Sequence, residues 1–192
     1  MLTIMIASTG AYSMARFSLG GKHLLLCMLI VRMMPPIVVI IPYYYIMMRL
    51  GLLGTYPAII LSHMIYSLTV AILLLRVSFS ETPQTLEECA LTDGCSSLSA
   101  FFRITLPLTA PAIIAVTILT FIASWNEFLF VMILGSSSPV NSTETLPVLL
   151  AKVGMENWST MAALAVTCVI PVLALAYLLQ TYVSRIRLGY IS

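Results

Sequence analysis

Residues 87–107 read EECALTDGCSSLSAFFRITLP and form a polar segment between two strongly apolar stretches. Just before this segment, Thr82 has the side chain of a helix N-cap. Pro83 suits the first helical position, where a backbone N–H would lack a partner in any case. A helix that starts there would end at Gly94, because glycine readily adopts the left-handed conformation of a C-terminal cap.

A second short helix is predicted after the glycine. Ser96 or Ser97 can cap its start, and Pro107 must end or redirect it, because proline lacks the N–H and its ring clashes with the preceding turn. The segment is therefore predicted to be two short helices joined at a glycine. A regular polar loop of this length between apolar stretches is typical of a docking surface.

The chain has 192 residues, of which 60% are hydrophobic and only 8% are charged, and its mean hydropathy is +1.06. Soluble domains carry about 25% charged residues, so this composition does not suit a water-exposed surface. The sequence therefore predicts an all-α, polytopic transmembrane helix bundle, in which residues 1–192 form one transmembrane domain.

Four apolar stretches reach the length of about 20 residues that a spanning helix needs. They are 24–48, 57–75, 108–134 and 160–183. Residues 1–15 are also apolar, but a helix of that length reaches only about 22 Å, short of the roughly 30 Å hydrocarbon core. We expect this segment to be the tail of a longer helix, so that the chain contributes about five spans.

Basic residues are distributed unevenly between the predicted loops. One set of loops holds Arg16, Lys22, Arg76, Arg103, Arg185 and Arg187. The other set holds Arg49 and Lys152. Because cytoplasmic loops carry the excess of Lys and Arg, this asymmetry predicts a cytoplasmic loop at 77–106 and an extracytoplasmic loop at 135–159.

Several kinds of chemistry lack a supporting pattern. A net charge of +2 with scattered basic residues does not indicate a nucleic-acid surface, and the four cysteines show no metal-binding or redox spacing. A phosphate-binding loop needs G-x-x-x-x-G-K-[ST], but Arg16 and His23 stand at required positions around Gly21-Lys22. We predict a protein that is not an enzyme, has no cofactor, metal or nucleic-acid partner, and relies on another subunit for any ATP hydrolysis.

Glu88-Cys89-Ala90, three further residues, Gly94, nine further residues and Ile104-x-Leu106-Pro107 form a spaced motif inside the polar segment. This motif resembles the EAA loop in the permease subunits of binding-protein-dependent ABC importers, with Cys89 where the family usually has Ala. The resemblance implies that eight residues couple the spans to an ATPase: Glu88, Cys89, Ala90, Asp93, Gly94, Ile104, Leu106 and Pro107.

Two of these residues have implied roles. Glu88 would form a charge-assisted bond with a basic or polar group of the ATPase. Gly94 would supply a sharp bend and a close approach that a Cβ would block. The alternatives are an ordinary amphipathic helix pair for the whole loop and a solvated helix face for Glu88 alone.

Three other stretches resemble the maltose-type branch of this family: AYSMARF at 11–17, RMMPP at 32–36 followed by Ile41-Pro42, and WNEF at 125–128. The resemblance implies a multi-pass permease of the bacterial inner membrane for sugars or related solutes. Its partners would be ABC ATPase subunits, a second permease subunit, an extracytoplasmic solute-binding protein and the lipid bilayer. Because the family normally has six spans, we hypothesise a truncated or mis-started N-terminus; the tail at 185–192 is also short.

Two charged side chains, Arg32 and Glu127, fall inside predicted spans, where a charge is costly and indicates function by default. Measured from the cytoplasmic ends of their spans, Arg32 lies about 12 Å deep and Glu127 about 28 Å, which argues against an ion pair. We predict Arg32, Asn126 and Glu127 as candidates for the translocation path. An interfacial position beside Trp125 is the alternative for Glu127, and the sequence indicates no role for His63.

Two other functions are considered. An ion- or proton-coupled secondary transporter would need several in-span carboxylates or internal repeats, and only Glu127 is found. An intramembrane protease would need a serine paired with an in-span histidine, and His63 with the serines at 136–138 gives no convincing arrangement. The solute is left open among oligosaccharides, disaccharides and glycerol-phosphate compounds.

Overall fold

The structure, a computed structural model, describes residues 1–17, 20–135, 143–153 and 157–189. Every regular element within these ranges is helical, which confirms the predicted all-α class. The α-helices are α1 Leu2–Arg16, α2 Gly21–Met33, α3 Pro36–Arg49, α4 Tyr56–Glu81, α5 Gln84–Thr92, α6 Ser97–Ala100, α7 Leu106–Leu108, α8 Ala110–Trp125, α9 Leu129–Gly135, α10 Leu146–Val153 and α11 Trp158–Gly189. A π-helical turn, Phe101–Thr105, joins α6 to α7.

The chain forms two compact units. Unit 1 contains Met1–Met28, Leu68–Thr120 and the segment that starts at Leu179. Unit 2 contains Leu29–Ser67 and Phe121–Leu178. Each unit has a hydrophobic core of its own, and each holds one of the two groups of predicted functional residues.

The core of unit 1 includes one face of α1 and the second half of α4. The buried residues of that face recur every three or four positions, as an amphipathic helix requires: Ile4, Ala7, Ala11 and Met14. Ala7 and Ala11 are completely buried, and such small side chains allow helices in a membrane to approach closely. Leu75 and Phe79 of α4 fill the same core and are also completely buried.

The core of unit 2 joins α3, the start of α4, and α9. Ile40 and Met47 on α3 cluster with Phe130 and Leu134 on α9. The Tyr43 hydroxyl, which would be costly to bury alone, donates a hydrogen bond of 2.7 Å to the Ala58 carbonyl of α4. These contacts hold the short helix α9 against two longer elements.

In the described ranges, two helices are long and apolar enough to cross a membrane, α4 and the Trp158–Gln180 part of α11. Two bent helix pairs within the described residues raise the count to four if each pair is one span. The predicted span at 24–48 is formed by two helices, α2 and α3, and the chain bends by 96° between Met33 and Pro36. The consecutive prolines explain this bend, since a proline disfavours helical backbone in the residue before it; Pro35 is accordingly extended, with φ −57° and ψ 134°.

The predicted span at 108–134 is also interrupted. Residues 126–128 separate α8 from α9, and a bend of 75° separates α8 from the helical stretch Ser97–Leu108. The predicted outer loop at 135–159 lies partly outside the described residues, as do the side chains of Lys22, Arg185 and Arg187.

Candidate functional site

The polar segment begins with α5, which starts one position later than predicted. Its N-cap is Pro83, whose backbone is extended at φ −59° and ψ 126°. The Thr82 hydroxyl instead donates to the Ser78 carbonyl at 3.1 Å. The prediction of Thr82 as the cap is therefore wrong, because α4 continues to Glu81 and the Thr82 hydroxyl bonds back to its last turn.

The end of α5 confirms the predicted glycine cap. Gly94 has φ +86°, in the left-handed region. The Cys95 N–H donates to the Ala90 carbonyl at 3.0 Å and the Gly94 N–H to the Leu91 carbonyl at 3.1 Å, which is the complete Schellman pattern. A Cβ at Gly94 would meet nothing within 4 Å among the described residues beyond its two chain neighbours, so the requirement for glycine there is conformational and not steric.

The second helix begins as predicted, with Ser96 accepting a hydrogen bond from the Ser99 N–H at 3.3 Å. It does not end at Pro107. The helical path continues through the π-turn and α7, and the change of direction comes at Thr109, whose hydroxyl donates to the Thr105 carbonyl at 2.8 Å. The π-turn inserts one extra residue per turn just before the proline, which lets the helix adjust there and turn two residues later.

A buried polar network, which sequence analysis did not identify, holds α5 in place. The Glu87 carboxylate accepts hydrogen bonds from Arg16 Nε at 2.8 Å and Nη2 at 2.7 Å, from the Tyr12 hydroxyl at 2.9 Å and from the Thr105 hydroxyl at 2.8 Å. Arg16 Nη2 also donates to the Thr82 carbonyl at 3.0 Å. The Arg16 and Glu87 side chains are only 6% and 9% exposed. The network therefore joins α5 to the end of α1 and to the π-turn.

The network keeps Glu87 ionised. Burial of the carboxyl raises its pKa, but the hydrogen bonds from Arg16, Thr105 and Tyr12, together with the Arg16 charge, outweigh burial and lower the pKa below its ordinary value. A charged carboxylate can accept all of these bonds at once, whereas a protonated one could not. Glu87 is thus a structural anion, and its neighbour Glu88 is the exposed one.

The predicted coupling residues divide between two faces. Four of them are exposed on α5 and its cap: Glu88, Cys89, Asp93 and Gly94. Ala90 is buried, Ile104 and Leu106 are half-buried, and Leu106 packs against the unit 1 core, whereas Pro107 is exposed. Large apolar side chains lie on the exposed side as well, namely Leu91, Leu98 and Phe102. The exposed residues of this segment thus include both carboxylates and large apolar side chains.

A cavity of about 220 Å³ adjoins this face in unit 1. It is bounded by Thr9 and Phe17 on the α1 side and by Leu98 and Phe102 on the other. An apolar side chain of a docked protein could enter it, since such cavities are where interface anchors bind.

The second group of predicted residues lies in unit 2, around a histidine to which the sequence assigned no role. His63 Nδ1 is 2.6 Å from the Ser124 hydroxyl, and His63 Nε2 is 3.5 Å from Glu127 Oε2. Glu127 also accepts hydrogen bonds from the backbone N–H groups of Phe130 at 2.9 Å and Val131 at 3.3 Å. Glu127 therefore caps α9 and faces His63, and it divides the predicted span at 108–134.

Arg32 and Glu127 have different partners. The Arg32 guanidinium lies 5.6 Å from the centre of the Tyr66 ring, a cation–π geometry. Asn126 lies at the break between α8 and α9, beside Glu127. Of the three predicted path residues, the structure thus brings Asn126 and Glu127 together at one helix break and gives Arg32 an aromatic contact.

Ser124, His63 and Glu127 are the residue types of a hydrolytic triad, but the backbone around Ser124 does not suit one. Ser124 lies inside α8, where backbone N–H groups are used by the helix, as in the bond from the Asn126 N–H to the Ile122 carbonyl at 3.1 Å. An oxyanion hole needs free donors next to the nucleophile. The cluster is therefore suited to binding polar groups rather than to acyl transfer.

Comparison with known families identifies the family of the chain. Residues 2–187 match the model of the family described as the binding-protein-dependent transport system inner membrane component. The chain belongs to this family. Membership confirms the resemblance drawn from the EAA-type spacing, and this is a family of transport permeases rather than of enzymes. With its apolar helices, the chain is a multi-pass protein of the inner membrane.

Relatives of this chain include permeases that are named for different solutes. The chain is 36% identical over 187 residues to a probable ABC transporter permease protein of Sinorhizobium fredii, covering 96% of this chain and 66% of the relative. It is 34% identical over 183 residues to a sulfoquinovosyl glycerol transport system permease of Agrobacterium fabrum, covering 93% and 63%. It is 30% identical over 188 residues to a trehalose/maltose transport system permease of Thermococcus litoralis, covering 95% and 66%. The chain spans slightly less than two thirds of each relative.

Proposed function

We propose that this chain is the membrane-spanning permease subunit of an ATP-driven importer of sugars or related solutes. It forms part of the translocation path and receives the motion of a separate ATPase through a cytoplasmic loop at 77–106. Family membership supports the general role, and the relatives named for trehalose/maltose, sulfoquinovosyl glycerol and diacetylchitobiose support a sugar as the solute.

The observation that carries the coupling role is the attachment of α5. Its exposed face is available to a partner, while its opposite face is held by Glu87 to Arg16 and Thr105. A buried ion pair with several hydrogen bonds resists separation, so a force applied to α5 moves the end of α1 and the π-turn with it. A solvated helix without such attachment would bend locally and transmit little.

The proposed partners are inferred from the missing phosphate-binding loop and from the exposed carboxylate of Glu88. The sequence of residues 1–192 has no complete phosphate-binding loop, which supports an ATPase that resides in separate subunits. Glu88, exposed on α5, would bind a basic group of the ATPase. A second permease subunit and an extracytoplasmic solute-binding protein complete the assembly that we propose.

Proteoliposomes that contain the complex purified through a tag on this chain test the proposal. We expect uptake of labelled trehalose, maltose or diacetylchitobiose to require ATP and to be blocked by vanadate. Glu88→Lys should reduce uptake by roughly tenfold or more, since loss of a charge-assisted bond costs about 1.5–3 kcal/mol. Glu81→Lys, a charge reversal at an exposed glutamate outside the motif, should leave uptake within about twofold.

Two results would contradict the proposal. Uptake that needs no ATP, resists vanadate and is abolished by a protonophore would show that the chain belongs to a secondary transporter. Equal losses in Glu88→Lys and Glu81→Lys would show a general effect of charge and remove Glu88 from the coupling contact.

A further inference from the structure

Unit 2 contains a cavity of about 270 Å³ to which no partner or role has been assigned. It is lined by His63 on α4, by Phe121, Ser124 and Trp125 on α8, and by Thr145 just before α10. At roughly 30 Å³ per water molecule, this volume corresponds to about nine waters, which is on the order of one sugar ring.

One wall of the cavity is an immobilised aromatic ring. Trp125 stacks on Phe121 with the ring centres 5.7 Å apart and the planes 22° apart. The Trp125 indole N–H donates to the Cys168 carbonyl at 3.1 Å, which fixes the ring plane. A fixed aromatic face loses little entropy on contact with the apolar face of a ligand.

The polar wall is incompletely satisfied. Within the described part of the chain, the buried Thr145 Oγ1 has no hydrogen-bond partner. His63 Nε2 makes no hydrogen bond either, but it lies 3.5 Å from Oε2 of Glu127, a residue that does not line the cavity. The other face of the histidine is engaged, with Nδ1 at 2.6 Å from Ser124 Oγ. A buried polar atom without a partner is rare and costly, so the Thr145 hydroxyl suits a ligand that donates or accepts a hydrogen bond.

The charges around the cavity select the class of ligand. None of the described residues that line it is Lys or Arg, and Glu127 lies behind His63. A phosphate would therefore meet a carboxylate without a compensating cation, whereas a neutral hydroxyl group would be accepted. This disfavours glycerol-phosphate compounds, which the sequence left open.

We propose that this cavity is a binding site for one ring of a neutral saccharide, with Trp125 as the stacking face and the hydroxyls of Ser124 and Thr145 as the partners of its hydroxyl groups. The proposal rests on the proposed importer function, because it assigns the transported sugar to named residues of this subunit. Glu127 acts as a positioning residue, since it faces His63 and caps α9 without lining the cavity.

Fluorescence of Trp125 measures this binding directly. The chain has two tryptophans, so Trp158→Phe leaves Trp125 as the single emitter. We expect trehalose, maltose or diacetylchitobiose, added to the full chain in lipid nanodiscs, to change the emission saturably, and glycerol 3-phosphate to have no such effect. Thr145→Val, which keeps the shape but removes the hydroxyl, and Ser124→Ala should each weaken binding by roughly tenfold. Thr167→Val, an exposed position on α11, is the matched control and should bind normally.

The outcomes separate this site from the importer function. The site is rejected if none of the three sugars gives a saturable change, if glycerol 3-phosphate binds and the sugars do not, or if Thr145→Val binds as well as Thr167→Val while both variants keep their helical circular dichroism. ATP-dependent sugar uptake that survives both Ser124→Ala and Thr145→Val would also reject the site but leave the importer function intact. Saturable sugar binding without any ATP-dependent uptake would support the site and contradict the importer function.

Discussion

Glu87→Ala should destabilise the attachment of α5 by about 3–5 kcal/mol, the usual cost of removing one partner from a buried ion pair. The Arg16 side chain, only 6% exposed, would keep its charge but lose the carboxylate that accepts two of its hydrogen bonds. Hydrogen exchange measures the effect, and the amides of α5 and the π-turn should exchange roughly a hundredfold faster or more. The exposed neighbour supplies a control, because Glu88→Ala should change the free energy of opening, as measured by hydrogen exchange, by less than about 0.5 kcal/mol.

A double variant distinguishes the ion pair from simple loss of volume. Arg16→Met with Glu87→Leu replaces both charges by apolar side chains, and such replacements of buried pairs are often neutral. We expect the double variant to recover most of the protection that Glu87→Ala loses. If Glu87→Ala alone exchanges like the unmodified chain, the network does not hold α5 and the coupling argument loses its mechanical basis.

The pH dependence of the same attachment follows from the pKa of Glu87, which is lower in the folded chain than its ordinary value. A lowered folded pKa means that the stabilisation is fully present above the unfolded pKa of about 4.3 and is lost as pH falls below it towards the folded pKa. Protection of the α5 amides should therefore decline on acidification below that value. Glu87→Gln, which cannot ionise, should lack this contribution to the decline; an identical acid profile in both chains would contradict it.

Gly94→Asp should abolish ATP-dependent uptake while leaving the protein inserted and folded. The position has φ +86°, so a side chain costs about 1–2 kcal/mol in backbone strain, but its Cβ would have open space around it in the described part of the chain. The internal cost is therefore small, and a large loss of uptake would arise where α5 docks, next to the exposed Asp93. Uptake, ATP hydrolysis and the amount of inserted protein should be measured together. Loss of coupling reduces the uptake that accompanies ATP hydrolysis but does not reduce the amount of inserted protein.

Gly94→Asn is the matched variant, since asparagine tolerates the left-handed conformation and adds no charge. More uptake in Gly94→Asn than in Gly94→Asp would assign the defect to charge at the docking face. If Gly94→Asp transports normally, the loop does not couple uptake to the ATPase through this position.

Local features of the polar segment could be predicted because short-range chemistry determines them. Gly94 ends α5 in the left-handed region and Ser96 caps α6, each through contacts within a few residues of chain. Thr82 and Pro107 show the limit of the same reasoning. The Thr82 hydroxyl donates to the last turn of α4 instead of capping α5. The bend follows Pro107 at Thr109, because the helical path continues through the proline before it turns.

Contacts between distant residues could not be predicted from the pattern. Glu87 and Glu88 are adjacent and chemically identical, yet Glu87 is buried against Arg16, 71 residues away, and Glu88 is exposed. His63 carried no signal because its partner Ser124 lies 61 residues further along the chain. Within the group around His63, the sequence drew attention to Glu127, because it is a charge in an apolar stretch.

The sequence by itself determined the class of this protein: an apolar composition that requires a membrane, a spacing that places the chain in its transport family, and a polar segment folded by its own caps and glycine. Those properties depend on composition and on neighbours along the chain. The tertiary structure alone decided which carboxylate anchors α5, which histidine faces Glu127, and where the predicted spans break. Burial and pairing of a charge depend on what the fold brings within about 3 Å, and separation along the sequence does not encode that distance.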